Sequence, residues 1–254
     1  MKQAAVVAEQ FGNTAAAYLT STVHAQGADL DAVKEIARSF TAPTVLDLGC
    51  GGGHISFAVA PFAASVTACD LSDQMLAVVA ASAVQRDLNN IETEQAQAEK
   101  LPFADASFDI VITRFSAHHW LHVPTGLREM HRVLRPNGIV IVIDIVASEI
   151  ALHDTTLQAV ELLRDASHVR DYRVSEWSAM FAGAGFTHEY VNGWKLKMVF
   201  DEWIARMRTP SERVTAIRSL LDSAPEETRA YFEVQDDYSF YIDAAFFTAR
   251  KIAA

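Results

Sequence analysis

The sequence predicts an α/β protein with an open, mostly parallel sheet that carries helices on both faces. Three observations lead to this fold class. Short apolar strand patterns alternate with helical patterns between residues 43 and 148, which is the order expected of a parallel sheet. Four glycines fall within the five positions that follow the first strand. The segment "IVIVIDIVA" is almost uninterrupted apolar sequence, which is typical of a central strand buried on both faces.

The elements of this region follow one another in chain order. The predicted strands are "PTVLDLG", "ASVTACD", a weaker "IETEQAQ", "SFDIVITRF" and "IVIVIDIVA". The first helix, "HISFAVAPFA", is expected to stop near Pro61. The second, "SDQMLAVVAASAVQRDL", has Ser72 as its N-cap and Asp73 in its first turn, where a carboxylate is favourable. The third, "VPTGLREMHRVL", is expected to end at Pro136 and Gly138.

The segments on either side of this core are predicted to cover its ligand-binding edge. Residues 1–40 form two helices, the second starting near Asp29, and are expected to act as a lid over the core of residues 41–148. Residues 149–254 supply the remaining strands and substrate-covering helices. Within them, "THEYVNGWKLKMVF" is predicted as a strand pair or hairpin, and "YSFYIDAAFFTARK" as the last strand. Open α/β sheets bind ligands outside the carboxyl ends of their strands, so both additions are placed to close over a ligand.

Composition excludes several function classes. The chain has 254 residues and a net charge of −11, with its basic residues scattered, which disfavours nucleic acid as a partner. No apolar run reaches the roughly 18 residues of a membrane helix, and the N-terminus has no signal-peptide core. Cys50 and Cys69 do not resemble a disulfide framework. We therefore expect a cytoplasmic monomer or homodimer that acts on a small molecule.

The glycine cluster predicts a loop that a ligand approaches closely. It lies between the first strand and the first helix, where backbone N–H groups favour an anionic ligand group. A nicotinamide-binding loop requires G-x-G-x-x-G or a final alanine, but His54 or Ser56 occupies the last place, depending on the register. The pattern that fits is D-x-G-x-G-x-G, from Asp47 through Gly53.

With this motif the sequence resembles the class I S-adenosylmethionine-dependent methyltransferases, in particular the ubiquinone/menaquinone-biosynthesis group. Four segments are similar to family motifs and stand in the same order: "VLDLGCGGG", "VTACDLS", "AEKLPFADASFDIVI" and "LREMHRVLRPNGIVIVID". They span about residues 43–146. The resemblance implies a Rossmann-like, mostly parallel seven-stranded sheet, S-adenosylmethionine as the cofactor, and methyl transfer without a metal ion. It fades beyond residue 150, where such enzymes differ in substrate.

The resemblance also implies a set of cofactor-binding residues. Asp70 ends the second strand, 21 residues after Gly49, and a carboxylate there accepts hydrogen bonds from the ribose hydroxyls. Leu71 and Met75 are expected to flank the adenine, although core packing explains both equally well. Gln97 stands where many relatives have an aspartate that binds the adenine amino group, and its amide oxygen still accepts a hydrogen bond. The full predicted set is Asp47, Gly49, Cys50, Gly51, Gly53, Asp70, Leu71, Met75, Gln97, Ala98, Glu99 and Arg114.

Two histidines at the end of the fourth strand are the candidates for catalysis. "RFSAHHWLH" places His118 and His119 at the carboxyl edge of the sheet, where a histidine can accept the proton of a methyl acceptor near neutral pH. The alternative is that one is packed under the lid and the other holds the following helix. His118 and His122 are four residues apart, but no nearby cysteine or carboxylate completes a zinc set.

Substrate contacts are predicted from both flanking regions. Phe11 and Tyr18 lie seven residues apart, on one face of a helix, and core packing is the alternative for both. Trp120 is either an aromatic wall or core. The cationic groups of "LRDASHVRDY" and "ARMRTP" suit carboxylates or electron-rich rings, with surface salt bridges as the alternative. The predicted contacts are Tyr18, Phe11, Trp120, His168, Arg170 and Arg206.

Three function classes follow from these patterns. The favoured class is a methyltransferase acting on a small, planar aromatic or heterocyclic metabolite, with O-, N- or C-methylation left open. The second is a protein that binds S-adenosylmethionine without catalysis. The third is an NAD-dependent oxidoreductase, which the glycine spacing disfavours.

Overall fold

The computed structural model describes residues 2–12 and 27–252, and within them one mixed sheet of eight strands organises the fold. The sheet has seven long strands, as the sequence predicts, and one additional strand of two residues. The strands are β1 (Thr44–Leu48), β2 (Ser65–Asp70), β3 (Ile91–Gln95), β4 (Phe108–Arg114), β5 (Leu134–Ala147), β6 (Tyr172–Arg173), β7 (Phe186–Met198) and β8 (Phe240–Lys251).

Helices precede the sheet, connect its strands and follow it. The helices are α1 (Gln3–Gly12), α2 (Ala28–Arg38), α3 (His54–Val59), α4 (Asp73–Gln85), α5 (Val123–Val133), α6 (Ala151–Arg164), α7 (Val174–Gly183), α8 (Phe200–Arg206), α9 (Ser211–Ser223) and α10 (Glu226–Tyr231). None of the helices in the described residues is long and apolar enough to cross a membrane. The predicted N-cap of α4 is confirmed, because the hydroxyl of Ser72 accepts a hydrogen bond from the N–H of Met75.

The strand order is β3-β2-β1-β4-β5-β8-β7, and every long strand is parallel to its neighbour except β8, which runs antiparallel to β5 and β7. The chain builds outward from β1 to β3, and then crosses back so that β4 pairs with β1. This change of direction places a crevice at the carboxyl ends of β1 and β4, which is where open α/β sheets bind their ligands.

Strand β5 is buried on both faces, as its apolar sequence predicts. Val140 and Val142 pack in one core cluster with residues of α5 and α7, whereas Ile141 and Ile143 pack in a second cluster with residues of α2 and α3. Alternate side chains of a strand point to opposite faces of the sheet, so the two layers of helices bury the two halves of this pattern. A third cluster joins α6, α8 and α9 to the ends of β5 and β8.

The predicted hairpin after residue 186 is wrong. Residues 186–198 form one strand, β7, which pairs along its length with β8 and has a bulge between Tyr190 and Asn192. The Asn192–Gly193 pair, a common turn signal, lies inside this strand. A Cβ at Gly193 would overlap the hydroxyl of Tyr190 and lie 3.1 Å from the carbonyl oxygen of Ala244. The glycine therefore allows close packing instead of a turn.

The third predicted helix is confirmed to within one residue, but the turn expected after it belongs to a strand. Helix α5 stops at Val133, and β5 begins at Leu134, which pairs with Phe108. The pairing of β4 with β5 shifts register between Phe108 and Ile110. Pro136 therefore lies inside the first, irregular part of β5, where a residue without an N–H is tolerated.

Candidate active site

A cavity of about 530 Å³ opens at the carboxyl edge of the sheet, and this volume is in the range of small-molecule sites. Its wall combines the glycine loop, the ends of β2, β4 and β5, helix α1, and residues from α6 through β8. The structure brings most of the predicted site residues to this wall: Asp47, Gly49, Cys50, Gly51, Asp70, Leu71, Gln97, Ala98, Glu99, Arg114, His118, His119, Phe11, Trp120 and Arg206.

The glycines of the loop are required for different reasons. Gly49 has φ +70°, and a Cβ there would overlap the hydroxyl of Ser116. Gly51 has φ +48°, yet a Cβ at Gly51 would meet no heavy atom within 4 Å. Since Gly51 lines the cavity, its missing side chain leaves room that belongs to a ligand and not to the protein core.

Two predicted cofactor residues do not line the cavity. Gly53 is the N-cap of α3 with φ +80°, and a Cβ there would lie 2.9 Å from side-chain atoms of Phe57 and Val79. The side chain of Met75 is fully buried in α4. Both predictions are corrected: Gly53 permits close packing of α3 against α4, and Met75 belongs to the core.

Asp70 connects the end of β2 to the glycine loop. One carboxylate oxygen accepts a hydrogen bond of 2.9 Å from the N–H of Gly51, and the other accepts one of 2.9 Å from the N–H of Ser72. Burial raises the pKa of Asp70 above its usual value, against the opposing effect of these hydrogen bonds. Each carboxylate oxygen retains further accepting capacity, so the group is oriented by the backbone and still available to hydroxyls of a ligand.

Asp47 ends β1 beneath the loop and is held by Ser56 of α3. Its Oδ2 accepts hydrogen bonds of 3.0 Å from the N–H and 2.6 Å from the hydroxyl of Ser56. Burial raises the pKa of Asp47 to about 6, although the bonds to Ser56 lower it. The carboxyl is therefore fixed in place at the cavity wall, where it orients the start of α3, and a ligand contact at Asp47 stays a prediction.

The segment after β3 supplies the third part of this wall. Gln97, Ala98 and Glu99 all line the cavity. One carboxylate oxygen of Glu99 accepts a hydrogen bond of 3.0 Å from the N–H of His122, which ties the segment to the start of α5. The hydrogen bonds that Gln97 makes with the described residues involve only its backbone, so its side-chain amide is available to a ligand.

Arg114, at the end of β4, forms an ion pair that the sequence did not reveal. Its Nε donates a hydrogen bond of 2.6 Å to Asp29 of α2, and both side chains are 6% exposed. The pair attaches the second N-terminal helix to the carboxyl edge of the sheet. Arg114 also lines the cavity, so a ligand contact at this residue stays a prediction.

His118 is held as a cation by a buried aspartate. Its Nδ1 lies 2.6 Å from one carboxylate oxygen of Asp144. The other oxygen accepts a hydrogen bond from the backbone N–H of His118. Burial alone would lower the pKa of His118, but the charge and hydrogen bond of Asp144 outweigh it and raise the pKa to about 9. At neutral pH His118 is therefore a hydrogen-bond donor and not a base.

His119 has the opposite electrostatic character. Burial and the neighbouring charge of His118 lower its pKa to about 3. Its Nδ1 faces the carbonyl and the hydroxyl of Ser167, and that hydroxyl donates its own hydrogen to Asp165. Both groups at Nδ1 therefore act as acceptors, so Nδ1 carries the proton and Nε2 is left with a lone pair. No hydrogen bond from the described residues occupies that Nε2.

Helix α1 packs directly over this histidine. The ring of Phe11 makes an edge contact with the ring of His119 at 4.8 Å, and the amide of Gln3 donates to the carbonyl of Ser167 at 2.7 Å. Phe11 thus reaches the place predicted from sequence. Tyr18 lies outside the described residues.

Two predicted substrate contacts are separated from the cavity wall. The Nε2 of His168 donates to the amide oxygen of Gln158, and the guanidinium of Arg170 pairs with Asp154 and Glu176. Neither His168 nor Arg170 lines the cavity. Both predictions are corrected: Arg170 forms salt bridges within this part of the fold, as in the alternative, and His168 is held by a hydrogen bond to Gln158.

Sequence reasoning did not select several acids and aromatic groups that line the cavity. Asp165 and Asp171 lie in the same "RDASHVRDY" segment from which only the cations had been selected, and Asp144 is the one charge in the apolar run of β5. A lone carboxylate in a buried strand is a usable signal. The polar and aromatic cavity residues that were not selected include Phe115, Ser116, Glu161, Asp165, Asp171 and Trp203, whereas Arg164, one of the cations of "LRDASHVRDY", does line the cavity.

Comparison with known proteins gives the family. Residues 46–142 match the family model of a methyltransferase domain. The chain is 35% identical to the uncharacterized methyltransferase YcgJ of Bacillus subtilis over 222 residues. The matched region covers 87% of this chain and 88% of that protein. The chain belongs to the class I S-adenosylmethionine-dependent methyltransferases. The crystal structure of YcgJ matches this methyltransferase with a TM-score of 0.85, at 32% identity over 89% of this chain and 99% of that one.

Two further relatives differ in how much of the methyltransferase they match. The uncharacterized protein YafE of Escherichia coli is 45% identical over 205 residues, which are 81% of this chain and 99% of that protein. A demethylmenaquinone methyltransferase of Chlorobaculum parvum is 37% identical over only 103 residues, 40% of this chain and 41% of that enzyme. The likeness to quinone-biosynthesis enzymes therefore covers less than half of the methyltransferase.

Proposed function

We propose that this methyltransferase binds S-adenosylmethionine on one side of the cavity and methylates a small, planar aromatic or heterocyclic metabolite on the other. The cofactor side is formed by the glycine loop, Asp70, Leu71 and residues 96–99. The acceptor side is formed by His118, His119, Glu161, Arg164, Asp165, Asp171 and Trp203. The observation that carries the proposal is the open space at Gly51 directly beside the oriented carboxylate of Asp70.

The residues of the cofactor side fit a nucleoside with a charged amino-acid tail. Asp70 is the acceptor for the ribose hydroxyls, and the Gln97 amide oxygen accepts from an adenine amino group. The cleared space at Gly51 admits the cofactor close to the backbone, where N–H groups at the start of a helix favour a carboxylate. Asp47 lies at the same wall and suits the amino end of the tail.

Bound S-adenosylmethionine would supply an electrophilic methyl group, and the protein's part is to align the acceptor and to remove its proton. In-line displacement depends mainly on orientation. Methylation of an O–H group, or of the N–H of a weakly basic aromatic nitrogen, leaves a strongly acidic cation, so a weak base is sufficient to accept its proton. His119 provides a neutral base with the lone pair on Nε2, and the imidazolium of His118 beside it donates a hydrogen bond to the acceptor.

The acceptor side favours a flat molecule. Phe115, Trp120 and Trp203 contribute to the cavity wall, and aromatic rings bind planar ligands through stacked or edge contacts. Helix α1 covers His119 through Phe11, and closure over the acceptor would exclude water from the transfer. The N-terminal segment is therefore proposed to act as the lid.

Two measurements test this function. Calorimetry with S-adenosylmethionine, its demethylated product and NAD, each with and without a chelator, tests the cofactor. Incubation of the protein with a metabolite extract and methyl-deuterated cofactor, followed by mass spectrometry, tests transfer. We expect binding of both S-adenosyl compounds without metal and the appearance of a labelled small molecule. Tighter binding of NAD would replace this assignment by an oxidoreductase, and binding without label transfer to any metabolite would indicate a non-catalytic protein.

A further inference from the structure

The acceptor side contains a carboxyl group that the protein itself leaves without a partner. Among the described residues, four buried side-chain polar atoms have no hydrogen-bond partner: Thr113 Oγ1, His168 Nδ1, Asp171 Oδ2 and Trp177 Nε1. Of these four residues only Asp171 lines the cavity. Asp171 is 1% exposed, and a buried polar group without a partner costs free energy that a ligand can recover.

The surroundings of Asp171 do not supply the missing donor. The nearest basic atom is Nε2 of His168, 3.9 Å from Oδ2, and it already donates to Gln158 at 3.0 Å. The side-chain amide of Gln158 also donates a hydrogen bond to the backbone carbonyl of Asp171 and accepts one from its backbone N–H. Gln158 therefore fixes the backbone of Asp171 but leaves its carboxyl group open.

The other charged groups of this wall are already in use. The guanidinium of Arg164 donates to the carbonyl of Trp203 and pairs with Glu161 at 3.3 Å. One oxygen of Asp165 accepts both the N–H and the hydroxyl of Ser167. Asp171 is thus distinct from its acidic neighbours, because each of those carboxylates has a donor within the protein.

The chemistry of such a carboxyl group selects the edge of its ligand. Burial raises the pKa of Asp171 well above its usual range, although the charge of His118 opposes this effect. A neutral carboxyl group donates one hydrogen bond and accepts another side by side, whereas the ionised form accepts two. An amino group next to a ring nitrogen matches both states. The amino group donates in each case, while the ring nitrogen accepts from the neutral carboxyl group or, when protonated, donates to the ionised one. A quinone offers only acceptors and matches neither pattern.

We propose that Asp171 binds an amidine-type edge of the methyl acceptor, so that the acceptor is an amino-substituted nitrogen heterocycle. This inference rests on the proposed function, because it specifies the substrate class of the same site. The aromatic wall formed by Phe115 and Trp203 holds the ring, and the carboxyl group sets its orientation. Within the planar metabolites, the proposal selects nitrogen heterocycles over quinones and their phenolic precursors, because only the heterocycle pairs with both carboxyl oxygens through adjacent groups of one ring edge.

The test uses a matched pair of probes on the intact protein. Titrations followed by ligand-observed NMR compare 2-aminopyridine with 2-methylpyridine, in which a methyl group replaces the amino group, and with catechol, each with and without S-adenosylhomocysteine. We expect 2-aminopyridine to bind about tenfold more tightly than its methyl analogue, because hydrogen bonds to a charged or acidic group are strong. Equal binding of the two pyridines, or tighter binding of catechol, would overturn the inference.

Variants separate this role from a structural one. Asp171→Ala should abolish the preference for the amino compound, yet leave the melting temperature unchanged or raised, since it removes an unpartnered buried group. Asp109→Ala is the control: this carboxylate pairs with Arg135 and Thr44 outside the cavity, so its loss should lower the melting temperature and keep the preference. An unchanged preference in Asp171→Ala would overturn the inference. Failure of S-adenosylhomocysteine to bind the parent protein would instead overturn the proposed function.

Discussion

The two sides of the cavity satisfy their polar groups in opposite ways. On the cofactor side, the carboxylates of Asp47 and Asp70 accept hydrogen bonds from backbone N–H groups of the glycine loop and of the first turns or N-caps of the following helices. On the acceptor side, His118 depends on Asp144, His119 depends on Ser167, and Oδ2 of Asp171 has no donor among the described residues. A site for a constant ligand is thus completed by the backbone, whereas a site for a particular acceptor is built from side chains of distant segments.

The largest effect is expected from Gly51→Val, which breaks the cofactor side alone. A branched side chain costs about 1–2 kcal/mol at positive φ, and it fills the open space beside Asp70. We expect binding of S-adenosylhomocysteine, measured by calorimetry, to fall by at least ~100-fold.

The control for this substitution is Gly183→Val. Gly183 lies at the end of α7, is not in the left-handed region, and also has no heavy atom within 4 Å of a built Cβ. Its affinity for S-adenosylhomocysteine should equal that of the parent protein. Parent-like binding by Gly51→Val itself would place the cofactor elsewhere.

The second effect, on the acceptor side, is a loss of turnover without a loss of cofactor affinity. His119→Gln retains a donor toward Ser167 but removes the lone pair of Nε2. General-base catalysis contributes about 10²-fold or more, so we expect label transfer to fall by on the order of 10² while calorimetry gives an unchanged cofactor affinity. Full turnover in this variant at every pH would mean that alignment alone accounts for catalysis.

The third effect measures how far the cofactor side depends on one carboxylate. Asp70→Ala removes a charged acceptor of ligand hydrogen bonds, which contributes about 2–3 kcal/mol to binding. Because Asp70 also holds the N–H groups of Gly51 and Ser72, a modest fall in the melting temperature should accompany the loss of affinity. Asp73→Ala, at an exposed position three residues later, should leave the affinity unchanged; an equal loss in both variants would exclude a specific role for Asp70.

The smallest effect is a pH dependence of stability that arises on the acceptor side. The folded protein raises the pKa of His118 from 6.5 to about 9, so its stabilising contribution is complete below pH ~6.5 and is lost as the pH rises through about 9. We expect the free energy of unfolding, measured by denaturation at several pH values, to fall less steeply over this window in His118→Gln and in Asp144→Asn. Identical slopes in the parent and both variants would show that the pair does not titrate as described.

Local patterns were sufficient for the cofactor side. The strand, the glycine loop and the following helix are adjacent in the chain, so the spacing from Asp47 to Asp70 already fixes which groups meet. Gly53 was assigned to the ligand because the motif does not distinguish a glycine that clears space for a ligand from one that clears space for Phe57. For Met75 the sequence left adenine contact and core packing open, and the structure places it in the core. Only the position of the cavity makes that distinction.

The acceptor side was predictable only in outline. His118 and His119 were correctly placed at the carboxyl edge because they follow a parallel strand. The role of His118 depends on Asp144, 26 residues later in the chain. The role of His119 depends on Asp165 and Ser167, which are 46 and 48 residues later. No spacing rule connects residues so far apart, since the pairing of β4 with β5 brings Asp144 to His118 and the folding of the 165–171 loop against His118 brings Asp165 and Ser167 to His119.

The sequence by itself determined the sheet, its parallel order around the glycine loop, and the family of the enzyme. These features depend on periodicity and on contacts between neighbouring elements, which short segments encode. Tertiary structure decided that the Asn192–Gly193 pair lies within a strand, that Arg170 fixes a loop, and that Asp171 lines the cavity with a buried oxygen that has no partner among the described residues. The physical reason is that hydrogen-bond satisfaction and desolvation depend on all groups around a side chain, and most of those groups come from remote parts of the chain.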